Sequence, residues 1–259
     1  MNSGAQARRT RLHKWLTAQP FAHRGLHDAD HGIPENSLAA FRLAVEKKLG
    51  IELDVLLSLD GTAVVFHDEE TERLTGQPGL VAKMTAPRLE AMTLLGSDQQ
   101  VPTLQSALDA IAGTVPLLIE MKSVAKTRNG LCASVRRVLE GYRGPVAIMS
   151  FDPEIPRWFA AHAPAIARGM VMTTHGKSRY GKLLHLPIAQ GLIARYARAQ
   201  FIAYDLTSLP NGFVNGARRR GLPVLTWTVR GEAQAAFAHA HADNIIFELV
   251  DEAAPQPPA

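Results

Sequence analysis

The 259-residue sequence contains a single cysteine, Cys132. No internal disulfide can form, and a cysteine-based zinc site would lack ligands, so the chain suits a reducing compartment. Long apolar runs are missing too. None approaches the roughly 18 residues of a membrane span, and the leader ARRTRLHKWLTAQPFAHRG has no secretory apolar stretch. A cytoplasmic location is the expectation. Acid is absent from residues 1–20, which hold Arg8, Arg9, Arg11 and Lys14 and thereby account for the whole formal charge of +4. The remainder balances 24 bases against 24 acids. A nucleic-acid partner, which calls for a basic face on the folded body, is therefore not expected.

Short apolar runs rich in β-branched residues alternate with helical patterns along most of the chain, the signature of βα units around a parallel sheet. The strand candidates are residues 21–24, 51–57, 63–67, 116–121, 146–151, 167–171, 201–206, 224–229 and 244–247. That is one run more than a closed eight-stranded α/β barrel needs, and such barrels commonly fill about 250 residues. The link 58–62 contains Asp60-Gly61 and is too short for a crossover helix, so the second and third runs read as a hairpin. Which run lies outside the barrel stays open. Asn36 or Ser37 is placed to cap a helix through Leu38, Phe41, Ala44 and Val45. Thr103 caps a helix from Leu104 to Ile111, and Pro153 suits the first turn of another. Residues 69–102 show no strong period and read as an insertion, which in a compact domain is more often functional than idle. The organisation is a basic leader at 1–19, one barrel at 20–250 and a disordered tail at 251–259.

Four strings place ionisable groups where apolar strands end: FAHRG at 21–25, IELDV at 51–55, VVFHD at 64–68 and LLIEMK at 117–122. In an α/β barrel the carboxyl ends of the strands share one mouth, so His23, Arg24, Glu52, Asp54, His67, Glu120 and Lys122 can converge there. Any one of them has a plainer reading, as a strand-end histidine or an ion pair such as Asp54 with Arg24 or Glu52 with Lys122. Seven at four strand ends are harder to explain separately. Confined carboxylates repel one another unless a cation sits among them, and a hard divalent ion bound through oxygen meets that need. Two histidines can divide the proton transfers of phosphodiester cleavage, while Arg24 and Lys122 supply charge for phosphate. The seven groups sum to −1, so without a metal ion the site would repel its substrate.

The ordered set HRG, PENSLAAF, ELDV, a DG turn with VVFHD, RLTG, PTLQSAL and IEMK resembles the glycerophosphodiester phosphodiesterase family over about residues 20–250. SF at 150–151 and LTWTV at 225–229 look like later landmarks. The resemblance implies a TIM-like (β/α)8 barrel with a short insertion after the third strand. It implies hydrolysis of glycerophosphodiesters to glycerol 3-phosphate and an alcohol with Ca2+ or Mg2+. By matching motif, His23 and His67 would be the acid and base, and Glu52, Asp54 and Glu120 the metal ligands. Arg24 and Lys122 would contact phosphate, and Trp227 would line the glycerol side. Which histidine starts as base, and whether the attacking group is water or a neighbouring glycerol hydroxyl, stay open. The insertion resembles a substrate-side lid. Two other readings are a lipid-acting diesterase such as a lysophospholipase D, and a membrane-peripheral barrel that binds phosphate without turnover; oligomeric state is not indicated.

One departure is the last strand, where ADNIIFEL puts Phe247 and Glu248 at positions usually held by a Thr-Asp pair. The basic stretch 173–187 has no family landmark. It reads as a solvated loop, with an acidic headgroup for Lys177, Arg179 or Lys182 as the alternative. Glu35 and Asn36 are read as partners of Arg24 or the metal, with helix capping explaining Asn36 equally well. His27 and His31 lie in a loop where their spacing has no meaning, and Arg218, Arg219 and Arg220 end a helix. Leu12, Trp15 and Leu16 recur at helical spacing. They read as a segment packed across the barrel floor, the alternative being a helix in weak contact with a membrane surface.

Overall fold

All nine apolar runs are strands in the computed structural model, which describes residues 12, 14–122, 126–175 and 186–249. In chain order they are β1 (Phe21–Ala22), β2 (Gly50–Leu57), β3 (Ala63–Val65), β4 (Leu117–Met121), β5 (Val146–Ser150), β6 (Ala167–Met172), β7 (Phe201–Asp205), β8 (Val224–Arg230) and β9 (Asn244–Glu248). The parallel strands close into an eight-stranded TIM-like barrel through the β1–β2 pairing. β3 is the extra strand, antiparallel to β2 with Val55 opposite Val65 and Leu57 opposite Ala63. Its turn is pinned at Ser58, whose amide donates to the Thr62 carbonyl at 3.0 Å and whose hydroxyl donates to Asp60 at 2.5 Å.

The chain divides into two units, Ala22–Val146 and the remainder. Within the first, the order β3-β2-β4 puts Asp54 beside Glu120 in the parallel β2–β4 register. Seven of the eight β2 residues are buried, as befits a strand covered on both faces. A helix, α1 (Leu38–Glu46), starts at Ser37, whose hydroxyl accepts from the Ala40 amide. Thr103 likewise caps Leu104–Ile111. The insertion contains only short pieces, including Glu72–Thr75 and Ala86–Glu90. Val81, Met84, Leu89, Met92, Leu94 and Val101 pack with Leu56 of β2 and Val64 and Phe66 of the β3 segment. Elements of three to five residues cannot develop a helical or strand period, which is why the sequence shows none.

In the second unit, β5 to β9 run parallel in sequence order. Asn244 at the start of β9 donates to the carbonyls of Leu16 (2.7 Å) and Gln19 (2.8 Å), and the Leu16 side chain is fully buried. Arg218 at the end of the helix Gly212–Arg219 is ion-paired with Asp243 at 2.9 Å. Glu248, at the departure in the last strand, pairs with Arg230. No helix among the described residues is long and apolar enough to cross a membrane. Residues 176–185, with Lys177, Arg179 and Lys182, lie outside the described residues, as do most of the leader and the tail.

Candidate active site

β1 stops at Ala22 and β3 at Val65, two residues short of the sequence expectation in each case, so His23, Arg24 and His67 sit just beyond their strands. After β1 the chain turns through left-handed backbone at Arg24 (φ 57°) and Gly25 (φ 80°). A Cβ on Gly25 would lie 2.8 Å from the Ala40 Cβ and 2.9 Å from the Phe41 ring, so only glycine lets the turn rest on α1. Asn36 is also left-handed (φ 56°), which aims its amide back at β2. Its Nδ2 donates to Asp54 Oδ2 (3.0 Å), and the Asp54 amide donates to Asn36 Oδ1 (3.2 Å). Ser37 caps the helix and Asn36 braces Asp54, which separates the two readings of that pair.

Glu52 and Asp54 are fully buried on β2, and Glu120 is 7% exposed on β4. One oxygen from each lies within 4.8 Å of the others. Lys122, just past β4, brings Nζ to 2.6 Å from Glu120 Oε1 and 3.2 Å from Asp54 Oδ1. The Arg24 amide donates to Glu52 Oε2 at 3.0 Å, and its Nε lies 3.3 Å from Asp54 Oδ2. The Arg24–Asp54 and Lys122–Asp54 approaches are charge contacts without hydrogen-bond alignment. Of the two ion pairs that form the plainer reading, Arg24–Asp54 is present, while Lys122 pairs with Asp54 and Glu120 in place of Glu52. His23 Nε2 stands 3.9 Å from Glu52 Oε2.

Burial, reinforced by Asp54 and Glu120, pushes the Glu52 carboxyl well above the usual range, and burial raises Glu120 despite Lys122. Burial would raise Asp54 too, but Lys122 and Arg24 hold it below its ordinary value. Glu52 Oε1 is buried with no hydrogen-bond partner. An orphaned carboxylate oxygen between two other acids fits a hard divalent cation, whose oxygen contacts of about 2.3–2.6 Å can span such a cluster.

An outer layer surrounds this cluster that only partly shows in the sequence. His67 Nδ1 lies 2.5 Å from Asp68 Oδ1, and Asp68 is also held by Arg73 on the insertion helix. Arg73 forks onto Glu35 (Nη2 to Oε1 2.7 Å, Nη1 to Oε2 3.2 Å), and Glu35 accepts a 2.7 Å bond from Arg24 Nη1. A relay therefore runs His67, Asp68, Arg73, Glu35, Arg24, Asp54. Glu35 was legible as a partner of Arg24. Asp68 and Arg73 were visible only as letters of the VVFHD and RLTG strings. Burial would raise Asp68, yet Arg73 and His67 keep it low, so it is an acceptor and His67 Nδ1 carries the proton between them. His67, Asp68 and Arg73 border an open cleft of about 670 Å³ that Glu69, Glu70 and Glu72 also line.

The first unit therefore brings together His23, Arg24, Glu52, Asp54, His67, Glu120 and Lys122. Trp227 belongs to the other unit, on β8, where its ring meets Phe151 edge to face at 5.7 Å. His31 is paired locally with Asp28 at 2.7 Å.

Residues 23–251 match the Glycerophosphoryl diester phosphodiesterase family. A glycerophosphodiester phosphodiesterase of Caldanaerobacter subterraneus is 30% identical over 242 residues, covering 87% of this chain and 91% of that protein. An Oleispira antarctica phosphodiesterase solved with the product sn-glycerol-3-phosphate has the same fold (TM-score 0.78, 23% identity, 91% and 94% covered). A glycerophosphodiester phosphodiesterase of Agrobacterium tumefaciens is similar at TM-score 0.67 and 25% identity, covering 89% and 96%. With a family match over nearly its whole length and a TIM-like barrel to carry it, the chain belongs to the glycerophosphoryl diester phosphodiesterases and is a phosphoric diester hydrolase.

Proposed function

We propose that the site hydrolyses glycerophosphodiesters to glycerol 3-phosphate and an alcohol, using His23 and His67 for proton transfer and a divalent cation, Ca2+ or Mg2+, held by Glu52, Asp54 and Glu120. The observation that carries this reading is the unpartnered, buried Glu52 oxygen inside a three-carboxylate cluster, with His23 3.9 Å from Glu52 and His67 near enough to act on Asp54. Charge supports it. Glu35, Glu52, Asp54, Asp68 and Glu120 face Arg24, Arg73 and Lys122, which leaves −2 before the histidines are counted, one charge more acidic than the seven strand-end residues alone suggested. A divalent ion, when bound, cancels that charge and polarises a phosphoryl oxygen.

The protein's own groups do the rest. Asp68 accepts from His67 Nδ1, which leaves the Nε2 lone pair to take a proton from the attacking hydroxyl; this supports His67 as the starting base. His23 then donates to the departing alkoxide. Arg24 and Lys122, fixed by Asp54, Glu35 and Glu120, hold phosphate oxygens against the acids beneath them. Trp227 is assigned to the glycerol side from the LTWTV resemblance alone. Removal of metal tests the proposal: dialysis against EDTA abolishes turnover, and added Ca2+ or Mg2+ restores it. Full activity of chelated protein shown to be metal-free by elemental analysis refutes it.

A further inference from the structure

The overall charge balance hides a regional asymmetry. From residue 155 to residue 204 the sequence contains no Asp or Glu, yet it contains Arg157, Arg168, Lys177, Arg179, Lys182, Arg195 and Arg198. All fifty residues belong to the second unit. The three central cations lie outside the described residues, and nothing below rests on them. The described part includes the helix α2 (Pro187–Tyr196), whose inner side buries Gln190 and Ala194. Its outer side is apolar where a soluble helix ordinarily carries charge. Ile188 is 80% exposed, Leu192 63% and Tyr196 45%, at a spacing of four that aligns them on one face, and Leu186 just before the helix is 53% exposed. The Arg157 guanidinium stacks 4.4 Å above the Tyr196 ring, whose hydroxyl donates to Glu154. Arg195 and Arg198 are exposed at the end of the helix.

We propose that this outer face is a docking surface for an anionic phospholipid bilayer. Aliphatic side chains can enter the boundary between headgroups and acyl chains while the neighbouring arginines meet lipid phosphates. A nucleic acid fits poorly, because Leu186, Ile188 and Leu192 are aliphatic and the one aromatic ring of the face, Tyr196, is covered by Arg157. The surface also suits the chemistry of supply. Removing both acyl chains from a glycerophospholipid by ester hydrolysis leaves a glycerophosphodiester, so the substrate of this enzyme class is generated where the helix would sit.

The test is sedimentation of the full chain with unilamellar vesicles of phosphatidylglycerol and phosphatidylcholine, compared with phosphatidylcholine alone, across a salt series. Binding is expected to the anionic vesicles and to weaken as salt rises. The double variant Ile188→Asp/Leu192→Asp should lose binding at least tenfold while hydrolysing a soluble glycerophosphodiester at the normal rate. Arg195→Gln and Arg198→Gln should each lose about fivefold at low salt. Neutralising Arg8, Arg9 and Arg11 in the leader should leave most of the binding in place. The proposal is overturned by absence of binding to anionic vesicles at low salt, or by binding that survives the aspartate pair and disappears with the leader substitutions. It is also overturned if the aspartate pair abolishes self-association in analytical ultracentrifugation while vesicles bind neither protein, which assigns the face to a second copy of the chain.

Discussion

Asp68→Asn tests the relay behind His67 with a change of one charge and almost no volume. In the native site Asp68 accepts from His67 Nδ1 on one side and from Arg73 on the other. Asparagine has one acceptor and one donor end. Arg73 can only donate, so it takes the amide oxygen and leaves the NH2 group of the substituted side chain facing His67 Nδ1. That ring nitrogen must then be the acceptor, which moves the proton to Nε2 and removes the lone pair the base needs. A charge-assisted hydrogen bond contributes about 1.5–3 kcal/mol, and a loss of that size in the transition state slows kcat by about 10- to 150-fold. KM should change little, because Asp68 is not placed on the phosphate. The assay is steady-state release of glycerol 3-phosphate from a soluble glycerophosphodiester, with 15N shifts of the His67 ring reporting the tautomer. Retention of kcat within threefold, with the His67 proton moved to Nε2, would refute the assignment of His67 as base. The unfolding midpoint should barely shift, since Asp68 and Arg73 are both partly exposed.

Other perturbations address different levels of the structure. Glu52→Gln removes the orphaned carboxylate and should lower activity at least a hundredfold with loss of bound metal by elemental analysis; full metal content would show that Glu52 is not a ligand. Gly25→Ala forces a Cβ against Ala40 at a left-handed position, at a cost of about 2–4 kcal/mol in urea unfolding, and should also reduce activity by moving His23 and Arg24. Burial pushes the Tyr142 hydroxyl up to about 12 from 10. A folded-state value above the unfolded one contributes stability that is intact below about pH 10 and is lost as pH rises through 12. Relative to the native chain, Tyr142→Phe should therefore gain resistance to denaturant progressively between about pH 10 and 12 and keep that gain above it, and parallel pH profiles would contradict the burial argument.

The strands were legible because an apolar run is a local rule, and Glu52 and Asp54 share a face of β2 because they lie two apart on an extended chain. The hairpin followed from the Asp60-Gly61 turn and the short link, although only the antiparallel register of β2 and β3 shows which strand is the extra one. Strand ends were less legible. β1 ends where the chain turns left-handed at Arg24 and Gly25, and β3 pairs with β2 only as far as Val65 although β2 runs on to Gly50; no sequence pattern records where such pairing stops. The insertion is irregular in sequence, yet it packs an apolar cluster against β2 and β3 from residues too scattered to show a period. Arg73 was out of reach for the same reason, since its acidic partners Glu35 and Asp68 lie 38 and 5 residues away.

The residue types of each strand, the barrel class, the acid-rich strand ends and the family all follow from the amino-acid order. Those properties are written in neighbouring residues. It took folding to settle that Lys122 serves Asp54 and Glu120, that Asn36 braces a carboxylate while Ser37 caps the helix, and that Glu52 keeps an oxygen with no partner. Folding also decided that Ile188, Leu192 and Tyr196 face outward. Pairing, desolvation and exposure depend on what the folded chain brings alongside a residue, and that is set by contacts across tens of positions.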